Sequence, residues 1–435
     1  MNDWNPAVHL SKHVEDVAPA APALGKKTEQ WKNRVRQIAP ALKHPGYKWL
    51  WISSFLSNIG TWMQSLALGW LVFQLTHSSF WLGATAFAFS VPGLLLTLAG
   101  GVVADHFSRR SILMVTQFAM MVSAFTLATL VRFKIINLHE IVALTALSGI
   151  AAAFNMPAYQ SLIPNLVTRT ELTNAVMLNS AQFHTARILG PALGGIAIAF
   201  VGAEGNFFLN GISFLAPILA LALIRNVAAP VQQEGRFWLR LQGGFSYLVE
   251  HRQLLSLLLL IAVGSFLALP YMAFLPYFAR EVLHSNERGL GALMACSGAG
   301  ALLGAITVSC LNMAKGRGRF LFEAGLAFFG LVILFCFSRS FILSGVLLAG
   351  AGYASVLMGA TANAVVQNIV AERVRGRVIS IYFTVATGLP PLGGLLVGWL
   401  SWVFPAAYVI AAMAGAALVG SAVIFANSSA LRTLE

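Results

Sequence analysis

Apolar positions in this chain of 435 residues gather in long unbroken blocks, with only short polar breaks between them. Neither the strict alternation of a half-buried strand nor the single apolar stripe of a soluble helix accounts for such blocks. A helix crossing a bilayer needs roughly 20 mostly apolar residues. The pattern yields twelve windows of that kind, near 48–75, 80–104, 111–132, 140–163, 173–200, 205–225, 253–279, 289–313, 319–338, 342–366, 377–402 and 404–427. The expectation is an all-α membrane protein with 12 transmembrane helices. The polar stretches divide it into a tail over 1–45, a six-helix bundle over 46–225, a central loop over 226–252, a second six-helix bundle over 253–428 and a short tail over 429–435.

The two bundles read as copies of each other. The stretch "VTRTELTNAV" precedes "GPALGG" in the fifth window, and "VAERVRGRVI" precedes "LPPLGG" in the eleventh. The pairs Pro191/Pro390, Leu193/Leu392, Gly194/Gly393 and Gly195/Gly394 are equally displaced. Parallel six-helix repeats belong to one large transporter architecture, whose substrate site lies between the halves near the midplane.

Composition strengthens this picture. Hydrophobic residues make up 58% of the chain and charged ones 10%, against about 25% charged in a soluble domain. The net charge of +13 is not spread evenly. The tail and alternate loops hold Arg109, Arg110, Arg169, Arg225, Arg236, Arg240, Arg252, Lys315, Arg317, Arg319, Arg373, Arg375, Arg377 and Arg432; the opposite loops hold only Arg132, Lys134, Arg280, Arg288 and Arg339. Lysine and arginine favour cytoplasmic loops, so both termini are expected inside, in a bacterial inner membrane. The basic run near Lys26–Lys43 and the segment "RFWLRLQGGFSYL" fit a lipid surface; no nucleic-acid module accompanies them. Cys296, Cys310 and Cys336 lie in apolar windows without metal-ligand spacing and are expected as small buried hydrophobes. No metal and no cofactor are expected. Paired acids, a histidine cluster or an activated nucleophile, which an enzyme would need, do not stand out, nor does a phosphate-binding GxxxxGK[ST] loop.

"GGVVADHFSRRSIL" resembles the loop signature of the major facilitator superfamily, with Gly101, Asp105, Arg109 and Arg110 at its positions. His106 and Ser108 depart from it. The resemblance implies a conformational latch, in which the Asp105 carboxylate faces the start of the eleventh helix at Gly376 and Arg377. "LSNIGTWMQSLALGWLVFQLT", "NMPAYQSLIPNLVTRTELTNAVMLNS", "ARILGPALGG" and "RVRGRVISIYFTVATGLPPLGGLLVGWL" resemble a subgroup containing siderophore exporters, enterobactin-exporter-like, and macrolide-type efflux permeases. That implies export by alternating access, with proton antiport, by a monomer.

One stretch stands out inside the membrane, "HTARILGPALGG". Ser180, His184, Arg187, Pro191 and Gly194 recur at steps of four and three and share a helix face. An arginine at mid-span costs roughly 2.5–3.5 kcal/mol and belongs in a protein interior or a wet cavity. Every other lysine or arginine fits a tail, loop or helix end; Arg187 does not. His184 is the one histidine well inside a window. Gly190, Pro191, Gly194 and Gly195, with Pro390, Pro391, Gly393 and Gly394 in the second half, mark expected bends and close helix contacts. Further candidates for substrate and coupling are Asn58, Thr61, Gln64, Asn155, Tyr159, Gln160, Tyr271, Asn363, Gln367 and Glu323. Each of the neutral ones also fits an ordinary interhelical hydrogen bond, and Glu323 also fits an interfacial charge at a helix start. A fixed cation without a facing carboxylate favours an anionic or neutral cargo, best read as a carboxylate-type siderophore. Multidrug efflux is the alternative, and a non-transporting scaffold or sensor is the alternative of another class.

Overall fold

A computed structural model describes residues 39–224, 247–248, 251–310, 316–370 and 372–432, without side-chain detail at 94, 97–106, 309, 372–373, 375–377, 380, 429 and 430. The tail before 39 and most of the central loop lie outside the described residues. Among the described residues all regular structure is helical. The first half holds α1 (Pro45–Thr76), α2 (Ser79–His106), α3 (Arg109–Arg132), α4 (Leu138–Leu162), α5 (Leu172–Ser213) and α6 (Leu215–Leu223). The second half holds α7 (Arg252–Val263), α8 (Glu287–Cys310), α9 (Arg317–Phe337), α10 (Phe341–Ile369), α11 (Glu372–Leu400), α12 (Ala406–Asn427) and the short α13 (Ser429–Arg432). Nine helical stretches among the described residues are long and apolar enough to cross a membrane.

Local sequence sets several of the ends. Asn137 caps α4, its Oδ1 accepting from the Glu140 backbone N–H while the Glu140 carboxylate accepts from the Asn137 N–H. Ser108 and Ser340 cap α3 and α10, each satisfying one of the orphan donors of a first turn. Glu140 is thereby accounted for as a capping group.

One window boundary is kept and one window departs. Between the fifth and sixth windows two helical stretches, both carried under the label α5, meet across a kink at Gly202, which is non-helical at φ 72 and ψ 177, a region open essentially to glycine. Pro191 sits inside continuous helix, so the interruption lies eleven residues beyond the expected bend. The seventh window is not a plain helix. After α7 come a π turn (Gly264–Ala268), a 3-10 stretch (Leu269–Phe274), one α turn (Leu275–Tyr277) and a second π turn (Phe278–Val282). Pro270 and Pro276, which lack an N–H to donate, fall inside this run.

Each half lends two helices to the seam between them. α2 meets α11 where Gly83 faces the carbonyl of Gly394 and Gly398 faces Phe80. α5 meets α8 where Gly195 faces Glu287 and Gly291, and where Gly298 faces Arg187 and Ile188. Any Cβ at Gly83 would collide with main chain, so the backbones touch there. Aromatic rings close the arginine-poor end: Phe80 meets Trp402 with centroids 5.8 Å apart, and Phe73 meets Tyr277 at 6.1 Å. Above this seal lies a cavity of about 530 Å³ lined by His77, Ser79, Tyr277, Glu281, Ser401 and Trp402 among others. Cys336 is buried and Cys296 partly buried, but Cys310 is exposed. The expectation of a buried Cys310 is corrected by its place as the last residue of α8.

Candidate functional site

α5 carries the site. It packs against α1, with Gly190 beneath Trp62 and the Ile59 carbonyl, and Gly194 against Met63. This close crossing brings the Trp62 indole over the side chain three residues before Gly190. The guanidinium carbon of Arg187 lies 5.6 Å from the Trp62 ring centroid, a cation–π contact worth about 0.5–2 kcal/mol. From the other half, Met272 presents its sulfur: Arg187 Nη2 donates to Met272 Sδ at 3.0 Å. Tyr271, next in the same irregular segment, lies within electrostatic reach of the guanidinium and sits 3.4 Å from the Ser297 hydroxyl. The Nε of Arg187 is buried without an acceptor, and so is Nδ1 of His184. No carboxylate faces Arg187 among the ion pairs of the described residues. A thioether is only a weak acceptor, so the cation is under-satisfied.

The other candidates divide. Gln64 accepts a 2.7 Å bond from Asn210, and Asn206 donates to the Gly194 carbonyl at 3.1 Å; these ties hold the outer part of α5 to α1 and to itself across Gly202. Tyr159 donates to Asn179 Oδ1 at 3.0 Å, and Gln182 Nε2 donates to both Asn179 (2.7 Å) and the Tyr159 oxygen (3.3 Å). Gln182 Oε1 remains buried and unpartnered. This polar group lies one turn before His184 on α5. Thr61 bonds back to the Ser57 carbonyl of its own helix, and Asn155 donates to Thr116 of α3. Asn58 is half-buried and Gln160 exposed. Asn363 and Gln367 bond each other at 3.3 Å. Glu323 is held by Arg319 at 2.8 Å on an exposed face; it is not brought to Arg187. Pro390, Pro391 and Gly393 lie in continuous α11, with Gly393 against the Phe266 carbonyl.

The latch expectation falls largely outside the described residues. The side chains of Asp105 and Arg377, and the surroundings of Gly101 and Gly376, are not among them. Arg110 Nη2 donates to the Ala222 carbonyl at 3.1 Å, and the Nε atoms of Arg109 and Arg110 are buried without acceptors.

Sequence reasoning missed Trp62, Met272, Asn179, Gln182 and Asn210. Asn179 and Gln182 repeat at a spacing of three just before His184, a signal that was present. Met272 had none, because it reaches Arg187 only through the irregular geometry after α7.

The fold and chain resemble known transporters. A crystal structure of a mutant of the nucleoside transporter NupG superposes with a TM-score of 0.72, at 13% identity, covering 88% of this chain and 99% of that one. The staphyloferrin A transporter of Staphylococcus aureus is 25% identical, over 82% of this chain and 90% of the relative. The multidrug efflux pump Tap of Mycolicibacterium fortuitum is 24% identical, over 80% and 87%. Residues 36–435 match the family model MFS_3, transmembrane secretion effector, and the chain therefore belongs to this efflux branch of the major facilitator superfamily.

Proposed function

We propose that this transporter exports a small amphipathic anion, best read as a carboxylate-type siderophore, across a bacterial inner membrane. In this reading the chain crosses twelve times with both termini in the cytoplasm, the side favoured by its lysines and arginines, and the halves rock about the Arg187 site in exchange for protons, as a monomer. The observation that carries the anionic reading is the Arg187 guanidinium itself: buried at Nε, bonded to a sulfur, stacked on an indole and faced by no described carboxylate. Buried charges are paired or coordinated in folded proteins. The missing counter-charge is assigned to the cargo, whose oxyanion would take the place that a protein carboxylate takes elsewhere. Trp62 and Phe183, edge to face at 6.0 Å, offer apolar contact to the rest of such a molecule.

The similarity to the staphyloferrin A transporter supports this reading. The similarity to Tap keeps a second one in view, efflux of neutral amphipathic drugs against the same aromatic wall. A deletion strain separates them. Spent medium depleted of iron-chelating carboxylates, with drug tolerance unchanged, is the expected result. Unaltered chelator secretion with lost drug tolerance would favour the second reading, and no change in either would remove both.

A further inference from the structure

The side chain that accepts from Arg187 also belongs to the segment that seals the outer end. The irregular run after α7 puts Met272 on the guanidinium at 3.0 Å. Four residues on, Pro276 packs at Gly69, and Tyr277 meets Phe73 at the aromatic seal. Arg187 stands on the first half and Met272 on the second, so their contact is a tie across the seam. The tie is weak by chemistry, a charged donor on a neutral sulfur. It also lies on a segment whose hydrogen-bond ladder is already broken by two π turns and a 3-10 stretch. Such π turns cluster at functional places in helices.

From this geometry we infer that the Met272 sulfur is a place-holder for the cargo's oxyanion, and that its displacement releases the outer seal. The inference rests on the anionic reading above and adds to it a coupling route. Without an anion, Met272 gives Arg187 one weak acceptor and the halves stay joined at the arginine-poor end. An entering carboxylate is a far better acceptor for a guanidinium. It takes the donor, Met272 leaves, and the segment carrying Pro276 and Tyr277 loses its inner anchor. A ligand shifts such an equilibrium only through contacts that differ between the two states, and exchange of sulfur for oxyanion is a contact of that kind.

The test reads the seal directly. The full chain, with its three cysteines replaced by alanine, is placed in lipid nanodiscs with spin labels at Ser79→Cys and Ser401→Cys, two positions lining the outer cavity. Met272→Leu keeps the volume and removes the acceptor; Met272→Gln supplies a stronger, uncharged one. Without ligand, Met272→Leu and Arg187→Ala should each raise the ratio of long to short distances roughly threefold to tenfold, the worth of one hydrogen bond, and Met272→Gln should lower it. Citrate should lengthen the distance in the wild type, its neutral triethyl ester should not, and Met272→Gln should require about tenfold more citrate. Arg187→Ala responding to citrate like the wild type would overturn the anionic reading and the place-holder together. Loss of response in Arg187→Ala with both Met272 variants unchanged would overturn the place-holder alone. A wild-type chain whose distances citrate leaves unaltered would overturn the exchange.

Discussion

A guanidinium holds five donors in a planar fork and cannot shed its charge, so its environment has to answer it. Around Arg187 the described answer is one thioether and one indole face. Neither supplies the two parallel bonds that the fork can make to a carboxylate. Arg187→Ala should therefore cut export at least tenfold while the protein stays folded in the membrane, and Arg187→Lys should recover only part, since an ammonium offers a point charge without the fork. Transport assays paired with membrane abundance check this; full export by Arg187→Ala would reduce the residue to packing. A second residue-scale prediction concerns the entry to α5. The Thr168 hydroxyl, and after it the His44 ring at 2.6 Å, hold the Glu171 carboxyl below the usual glutamate range. A depressed carboxyl adds stability that is complete above the ordinary value near about 4.3 and is lost as pH falls through the lowered one. Glu171 should thus keep the Pro40–Lys43 turn docked against α5 from neutral pH to about 5. Glu171→Gln should expose Lys43 to trypsin, and proteolysis equal to wild type would remove the staple.

At the scale of elements, hydropathy found the helical windows because a bilayer leaves few ways to satisfy a backbone. It also left a gap at 201–204, where the kink at Gly202 falls; what it could not find is the backbone conformation at such a break or irregular turns inside a window. Gly202 is one of many glycines in the chain, and its φ of 72 follows from how α5 turns over at its outer end beside Glu204. The π and 3-10 turns after α7 are likewise set by packing around Pro270 and Pro276, not by a loss of apolar character. Arg187 and His184 were legible because a charge in an apolar window is conspicuous; Met272 and Trp62 were not, because methionine and tryptophan are at home there. Gly202→Ala forces a residue with a Cβ into a glycine-only conformation and should cost about 1–3 kcal/mol. Its midpoint of thermal unfolding in detergent should fall, whereas Gly359→Ala, at a site with open space around it, should not. Equal midpoints would mean that the chain relaxes out of the kink without loss.

For the whole molecule, the described helices meet along a seam, α2 on α11 and α5 on α8, with Phe80 against Trp402 and Phe73 against Tyr277 at the arginine-poor end. Which helices meet was not legible, because small residues that permit close approach occur on many faces. A seam shut at one end makes alternating access a question of what drives its reopening. If protons drive it, a group must titrate inside the membrane. Glu323 is engaged by Arg319 on an exposed face, and Glu140 caps α4. Among the described acids and histidines inside the helical windows that leaves His184, whose Nδ1 is buried without a partner three residues before Arg187. In inverted vesicles that accumulate cargo, collapse of the pH gradient should abolish wild-type accumulation. His184→Gln should equilibrate cargo but no longer concentrate it, gradient or not. Gradient-dependent accumulation by His184→Gln would move the coupling group elsewhere, and accumulation by the wild type without any gradient would rule out proton exchange altogether.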